Sequence, residues 1–245
     1  MRLRRGLHCI ASGRVGFNLT DPYDCSVFAI DSGDGWVVFD AGSGRDLTRI
    51  IEVCRADGIQ PSDIRWLCLT HCHGDHAGGV AGWHEVSHLQ VLASPHTART
   101  VREGDEHAMS LDVARAAGIY PADYAMRPGA VDGELADGQR LTFGRLTVTA
   151  LATPGHCRDH MAYLVADGDQ RLLLSGDALF SGGRISLQNI WDCSVQDSCA
   201  TVLKLAALEF DALLPGHSEV HLAEGRRHAE MAAGYVRRLV VPPQL

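Results

Sequence analysis

Apolar and polar positions along the chain switch repeatedly between strand and helix periods. Residues 25–30 (CSVFAI) and 36–39 (WVVF) are apolar runs divided by Asp31-Ser-Gly-Asp-Gly35, which predicts two strands around a turn, the second ending at Asp40-Ala-Gly42. Over 46–57 the period changes. Leu47, Ile50, Ile51 and Cys54 recur at helical spacing, and Gly58 supplies a stop. Pro61 and Ser62 open a unit whose strand, 64–69, runs directly into Thr70-His71. A glycine-rich bend, a short strand over 90–93 and a mainly helical stretch between Thr97 and Gly118 follow, with Ala108, Leu111, Ala114 and Arg115 in amphipathic register.

From Gly138 the strand pattern returns at 140–143, 146–151, 161–165 and 172–174, with turns at Gly144-Arg145 and Asp167-Gly-Asp169. A helix over 195–208, a strand over 212–214 and a helix over 223–239 complete the pattern. Two β-rich halves with helices outside suit two sheets flanked by helices. No linker, repeat or low-complexity stretch interrupts the chain, so one domain over 1–245 is expected, near the upper size of about 250 residues for a single core.

Composition narrows the function. With 46% hydrophobic and 21% charged residues the chain is an ordinary globular protein. Its 22 Lys and Arg against 30 Asp and Glu leave a net charge of −8, which excludes an electrostatic grip on nucleic acid or anionic lipid. The basic start (Arg2, Arg4, Arg5) is broken by Gly6, His8, Ser12 and Gly13 and does not read as a signal peptide. Apolar runs such as Leu172-Leu-Leu174 are too short to span a bilayer, so no membrane partner and a cytoplasmic location are expected. Eight cysteines without a CxxC pair fit reduced, mostly buried thiols. The unusual count is histidine: thirteen, more than Phe, Tyr or Trp.

The histidines gather at Thr70-His71-Cys72-His73-Gly74-Asp75-His76-Ala77-Gly78-Gly79, just past a predicted strand. In extended chain, residues two apart face the same side, so His71 and His73 aim at one point and Cys72 turns away. Asp75 and His76 follow a bend at Gly74. Imidazole and carboxylate donors of this kind suit zinc, iron or manganese. Three later segments share one grammar, a strand ending in a glycine turn that presents a single metal-competent side chain. They are Thr153-Pro-Gly-His156, Leu174-Ser-Gly-Asp177 and Leu214-Pro-Gly-His217, where Gly is expected to supply a conformation that other residues avoid.

With these motifs in order, nearly the whole chain from Asp40-Ala-Gly42 to His217 resembles the metallo-β-lactamase superfamily. The resemblance implies an αβ/βα sandwich of two mixed β-sheets flanked by helices, in four layers. It also implies two divalent metal ions, zinc first, with iron or manganese as alternatives. One ion would take His71, His73 and His156, the other Asp75, His76 and His217, with Asp177 bridging both. Asp40 matches an early Asp of the family and is expected to hold a ligand rather than be one. An Asp at the bridging position is typical of hydroxyacylglutathione hydrolases (glyoxalase II) and acyl-homoserine lactonases, whereas antibiotic-hydrolysing lactamases generally lack it. The 28 residues after His217 contain no large basic, helical region of the glyoxalase II kind, so a glutathione thioester is not the expected substrate.

The chemistry so implied is attack by a metal-bridging hydroxide on an ester, thioester or lactone carbonyl, because metal binding lowers the pKa of water from near 16 towards about 7. Asp75 and Asp177 would be the catalytic residues, Asp75 by orienting the nucleophile or relaying a proton. The partner implied is a small-molecule acyl substrate, with no nucleic acid and no membrane; a homodimer is one assembly open to the chain, and the sequence does not fix the oligomeric state. His160, four residues after His156, is a candidate substrate-facing or ligand-supporting group, equally a hydrogen-bonded structural histidine. The segment 179–191 is a candidate pocket wall, with Phe180, Arg184 and Trp191 offering apolar contact and an anion hook, although Trp191 is somewhat more expected to fold onto the core. Tyr23 is a further pocket candidate. The other histidines (8, 84, 88, 96, 107, 221, 228) are expected on surfaces and helix faces. One rival keeps the fold and changes the chemistry: persulfide dioxygenases resemble the motif set but use one iron, at positions matching His71, His156 and Asp177. A nuclease of the superfamily is disfavoured by the acidic charge and the absence of a basic insert.

Overall fold

The computed structural model describes all 245 residues, which divide into units 1–135 and 136–245. In the first unit, β1 (Arg2–Arg4), β2 (Leu7–Ala11), β3 (Val27–Asp31), β4 (Trp36–Phe39), β5 (Ile64–Cys68), β6 (Gln90–Ala93) and β7 (Gly133–Glu134) lie side by side in chain order. Pairing is antiparallel from β1 to β4 and parallel from β4 to β7. The change follows the connections. Within the parallel part, successive strands are joined by segments bearing α1 (Leu47–Ala56), α2 (Gly74–Ala77), α3 (Val80–Val86), α4 (Pro95–Glu103) and α5 (Leu111–Ala116). Helix α1 starts where Asp46 accepts the Arg49 amide (3.0 Å), and it buries Ile50 and Cys54.

Three expectations are corrected in this unit. Strand β2 was hidden by His8, placed among surface residues by its polarity. Every residue of Leu7–Ala11 is buried, and His8 Nδ1 reaches Asp57 Oδ2 at 2.8 Å while its ring meets Trp36 edge-on. Burial alone would raise the Asp57 carboxyl, but hydrogen bonds from His8 and the terminal amine outweigh it and hold it below the usual carboxylate range. The helical stretch between 97 and 118 is two helices, because Gly104 leaves α4 in a left-handed turn (φ 64°) and the Asp105 carboxylate then accepts the His107 and Ala108 amides. The bend over 74–79 opens with a helix, α2 (Gly74–Ala77), and turns at Gly78-Gly79 before α3 begins at Val80. Its glycines answer to space: a Cβ on Gly79 would lie 2.1 Å from the Ala41 carbonyl oxygen.

The second unit holds a sheet in the order β12-β11-β10-β9-β8, formed by β8 (Arg140–Phe143), β9 (Leu146–Ala152), β10 (Met161–Asp167), β11 (Gln170–Gly176) and β12 (Ala212–Pro215). It is antiparallel from β8 to β11, with β12 parallel to β11. Helices α6 (Val195–Ala206) and α7 (Arg226–Arg237) cover it through Val202, Leu205, Ala229, Ala232 and Ala233, packed with Ala162 and Leu173. Helix α7 begins later than the pattern at 223 suggests. Glu224 is left-handed (φ 55°), and the Gly225 amide is committed to the Asp211 carbonyl (2.7 Å). All eight cysteines are free, six of them buried. No helix is long and apolar enough to cross a membrane.

Candidate metal centre

In the first unit the chain leaves β5 still extended, and His73, at φ −58° and ψ 150°, begins α2. The alternation expected there is present: the His71 and His73 rings stand 4.5 Å apart, and His76 returns to 4.1 Å from His71. All three are buried, and Cys72 lies in the hydrophobic core. Asp40 fixes their orientation. Its carboxylate accepts the Thr70 amide (2.7 Å), the Thr70 hydroxyl (2.9 Å to each oxygen) and His76 Nδ1–H (2.8 Å). With the proton of His76 on Nδ1, its Nε2 carries the lone pair. Thr70 Oγ1 lies 3.0 Å from His71 Nδ1 and, having donated to Asp40, accepts there, which leaves His71 Nε2 as the donor atom for a metal. Asp40 adopts φ 66°, a left-handed conformation that Asp tolerates better than most residues.

His76 Nε2 stands 3.6 Å from Asp75 Oδ2. That is beyond hydrogen-bond reach and close to the separation of about 3.4 Å between two ligands held 2.1 Å from a tetrahedral ion. The other Asp75 oxygen, Oδ1, accepts the Tyr120 hydroxyl at 2.7 Å. Burial first, and then the Asp75 charge, raises the Tyr120 phenol well above its ordinary value, so it stays a donor. Tyr124 lies against the same turn, its hydroxyl directed to the Ser43 and Gly74 carbonyls (2.7 and 2.9 Å). A Cβ on Gly74 would meet the Tyr124 ring at 2.8 Å, so this glycine makes room where a bend was expected. Cys25, Asp40 and His76 also bring ligand atoms within 4.8 Å of one another, but burial pushes the Cys25 thiol far above its usual range, which disfavours the thiolate a metal needs.

In the second unit, Gly155 (φ 139°) lies so close to α6 that a Cβ would stand 2.5 Å from Ser198 backbone atoms. His156 follows, and its Nδ1–H donates to the Ser186 carbonyl (3.2 Å), which leaves Nε2 to coordinate. That nitrogen and His217 Nε2 each stand 3.6 Å from the same atom, Asp177 Oδ2. Asp177 follows Gly176 (φ 48°), and its amide donates to His160 Nε2 (3.0 Å), while His160 Nδ1–H donates to Thr153 Oγ1 (2.8 Å). His160 is fully buried and holds the turn that carries Asp177. The third glycine departs from the expected grammar: Gly216 is not left-handed, and the positive φ falls on Ser218 (68°).

The proposed pocket residues divide. Tyr23 is half-buried between the guanidinium groups of Arg14 and Arg45 (4.9 and 5.3 Å), its ring 5.9 Å from that of Tyr120. Phe180 is no open wall: it is fully buried, its ring 6.5 Å from the His217 ring. Arg184 is exposed, and its carbonyl accepts the Phe180 amide (2.9 Å), tightening this loop. Trp191, expected on the core, is 50% exposed with the Arg158 guanidinium over its ring, since the segment around it leaves the apolar interior. Sequence reasoning missed Thr70, Tyr120, Tyr124, Thr153 and the Ser186 carbonyl as supports. Each acts through a hydrogen bond, and no local pattern marks them.

Imidazole and carboxylate groups of this composition fit a divalent zinc, iron or manganese ion. Residues 20–217 match the metallo-beta-lactamase superfamily. A hydroxyacylglutathione hydrolase of Marinomonas sp. (strain MWYL1) is 31% identical over 160 residues, which are 65% of this chain and 49% of that protein. The lactamase-like protein vrtG of Penicillium aethiopicum is 27% identical over 197 residues, 80% of this chain and 52% of that protein. The chain thus spans about half the length of these curated relatives. A solved structure of a Cronobacter sakazakii metallo-β-lactamase with a HARLDQ motif matches at a TM-score of 0.74 and 22% identity, over 98% of this chain and 96% of that one. The two mixed sheets flanked by helices are those of the metallo-β-lactamase fold.

Proposed function

Because the chain belongs to the metallo-β-lactamase superfamily, we propose that it is a metal-dependent hydrolase of an ester, thioester or lactone carbonyl, working with two divalent cations. The observation that carries this reading is the convergence of His156 Nε2 and His217 Nε2 on one Asp177 oxygen, each at 3.6 Å. His76 Nε2 and Asp75 Oδ2 repeat that spacing in the first unit. On this reading His71, His73, Asp75 and His76 of the first unit and His156, Asp177 and His217 of the second are the ligand groups, with Asp75 and His76 serving the second cation of the pair. Such a pair, when bound, supplies an acidified water and a polarised carbonyl. The chain's own residues prepare that chemistry. Asp40 and Thr70 keep protons on the Nδ1 atoms of His76 and His71, and the Ser186 carbonyl does the same for His156. Asp75 would orient the attacking water beside the cation it helps to hold, with Tyr120 fixing its other oxygen, Oδ1. Relatives named as hydroxyacylglutathione hydrolases support hydrolysis as the reaction class.

The test is a panel of lactones, thioesters, aryl esters and β-lactams on protein whose metal content has been measured. Two metals per chain and turnover within the first three classes are expected, and Asp177→Ala should lower metal content and hydrolysis together. Turnover of none of the four classes, with one iron bound, would replace hydrolysis by the iron-dependent oxygenase reading.

A further inference from the structure

Asp75 is held from both ends by one side chain. Its amide donates to the Tyr120 oxygen (3.2 Å), and the Tyr120 hydroxyl donates to its Oδ1 (2.7 Å), a length typical of a bond to an ionised carboxylate. With Oδ1 so engaged, the carboxylate presents Oδ2 to His76 Nε2, at 3.6 Å. Tyr120 is itself fastened. Gly118 (φ 72°) turns the chain back after α5, and the buried Tyr120 ring lies between those of Tyr23 (5.9 Å) and Tyr124 (5.0 Å). Tyr124 is bonded to the turn that carries Asp75, through the Gly74 carbonyl. Arg115 ties the segment at two points, donating to the Tyr124 carbonyl and to Glu106 (2.6 Å each), and Glu106 in turn accepts the Met126 amide (3.0 Å). The hydroxyl is therefore delivered by a packed segment 45 residues away in sequence, with little freedom left to lose when a cation arrives.

We infer that Tyr120 is a positioning residue for Asp75, whose double hydrogen bond directs Oδ2 towards the His76 donor and sets how tightly the second cation is held. The inference rests on the metal-centre reading above, in which Asp75 and His76 serve that cation. Burying the ring is a separate contribution, and Phe would keep it. The hydroxyl is what distinguishes the two.

The experiment titrates zinc into metal-free full-length protein against a chromophoric chelator, for the unaltered chain, Tyr120→Phe, Asp75→Asn and the double variant. The unaltered chain should bind two zinc ions. Y120F should keep the tighter one and lose about 10–100-fold in affinity for the weaker, the usual effect of removing a hydrogen bond behind a ligand. In the Asp75→Asn background the same change should add little, because the group it acts through has already been altered. Equal affinities in Y120F and the unaltered chain overturn the inference, as does an identical loss in both backgrounds, which would mark general damage. If the unaltered chain binds no pair of ions, the metal-centre reading fails first, and that is visible before any variant is compared. Should Y120F melt too low to titrate, tyrosine isotope-labelled at Cζ in the unaltered chain carries the test. The Tyr120 resonance must shift with the second zinc equivalent, and a resonance that ignores it overturns the inference equally.

Discussion

Asp40→Asn perturbs the metal centre while leaving all seven proposed ligands in place. Asn keeps the size of Asp and tolerates the φ of 66° found at this position. One oxygen remains to accept the Thr70 amide and hydroxyl, which now lie at 2.7 and 2.9 Å. The group facing His76 Nδ1, however, becomes a donor. In a site where His76 and Asp40 are both buried, two donors face to face leave an unsatisfied N–H, at a cost of about 1–3 kcal/mol. The imidazole escapes by moving its proton to Nε2, the nitrogen the proposed cation requires. Either outcome weakens the second cation, and a loss of about 10–100-fold is expected. Asp40→Ala is more severe. It orphans both the Thr70 amide and His76 Nδ1–H and forces Ala into a left-handed conformation, together about 3–7 kcal/mol. That approaches the whole stability of an ordinary domain. Guanidinium denaturation of the metal-free proteins should rank the unaltered chain above Asn and Asn well above Ala, and the zinc titration should separate Asn from the unaltered chain. An Asp40→Asn protein that holds its second zinc as tightly as the unaltered chain would refute the claim that Asp40 sets the tautomer of His76.

Two further outcomes test the scaffold around the ligands. Gly155→Ala must place a methyl group 2.3 Å from Ser198 Oγ and 2.5 Å from its backbone while holding φ at 139°, so a loss of about 2–6 kcal/mol is expected. A denaturation midpoint matching the unaltered chain would show that α6 yields freely at this contact. His228 accepts the Gly182 amide at Nδ1 (2.9 Å), and burial first, then His221 and Arg227, hold its imidazole below the ordinary value against the opposing pull of Glu219. The folded state therefore resists a proton that the unfolded chain accepts. This contribution is complete above the unfolded value of about 6.5 and fades as pH falls from there through the depressed value. His228→Asn keeps an acceptor without a titration, and its urea midpoint should fall less on acidification than that of the unaltered chain. Equal slopes would exclude His228 as the source.

What the sequence determined by itself was local. A change of period separates Leu47, Ile50 and Cys54 from the strands beside them, and the parallel and antiparallel strands over 64–68, 90–93 and 140–143 stand where their apolar runs lie. Alternation in extended chain was enough to bring His71 and His73 together and turn Cys72 into the core. The same local logic failed where a polar residue has a distant partner. His8 concealed β2 because Asp57, which makes its burial tolerable, lies 49 positions away. Glycines at 74–79 read as a bend, whereas the neighbours that leave no room for a side chain, Ala41 and Tyr124, come from elsewhere in the unit. Residue type thus announced which groups can bind a metal, but not the state in which each is presented. The proton on His76 is assigned by Asp40, 36 residues earlier, and the free rotation of Asp75 is removed by Tyr120, 45 residues later. Hydrogen bonds act through a few ångströms of space without regard to distance along the chain, so only the folded structure decides which nitrogen and which oxygen face a cation.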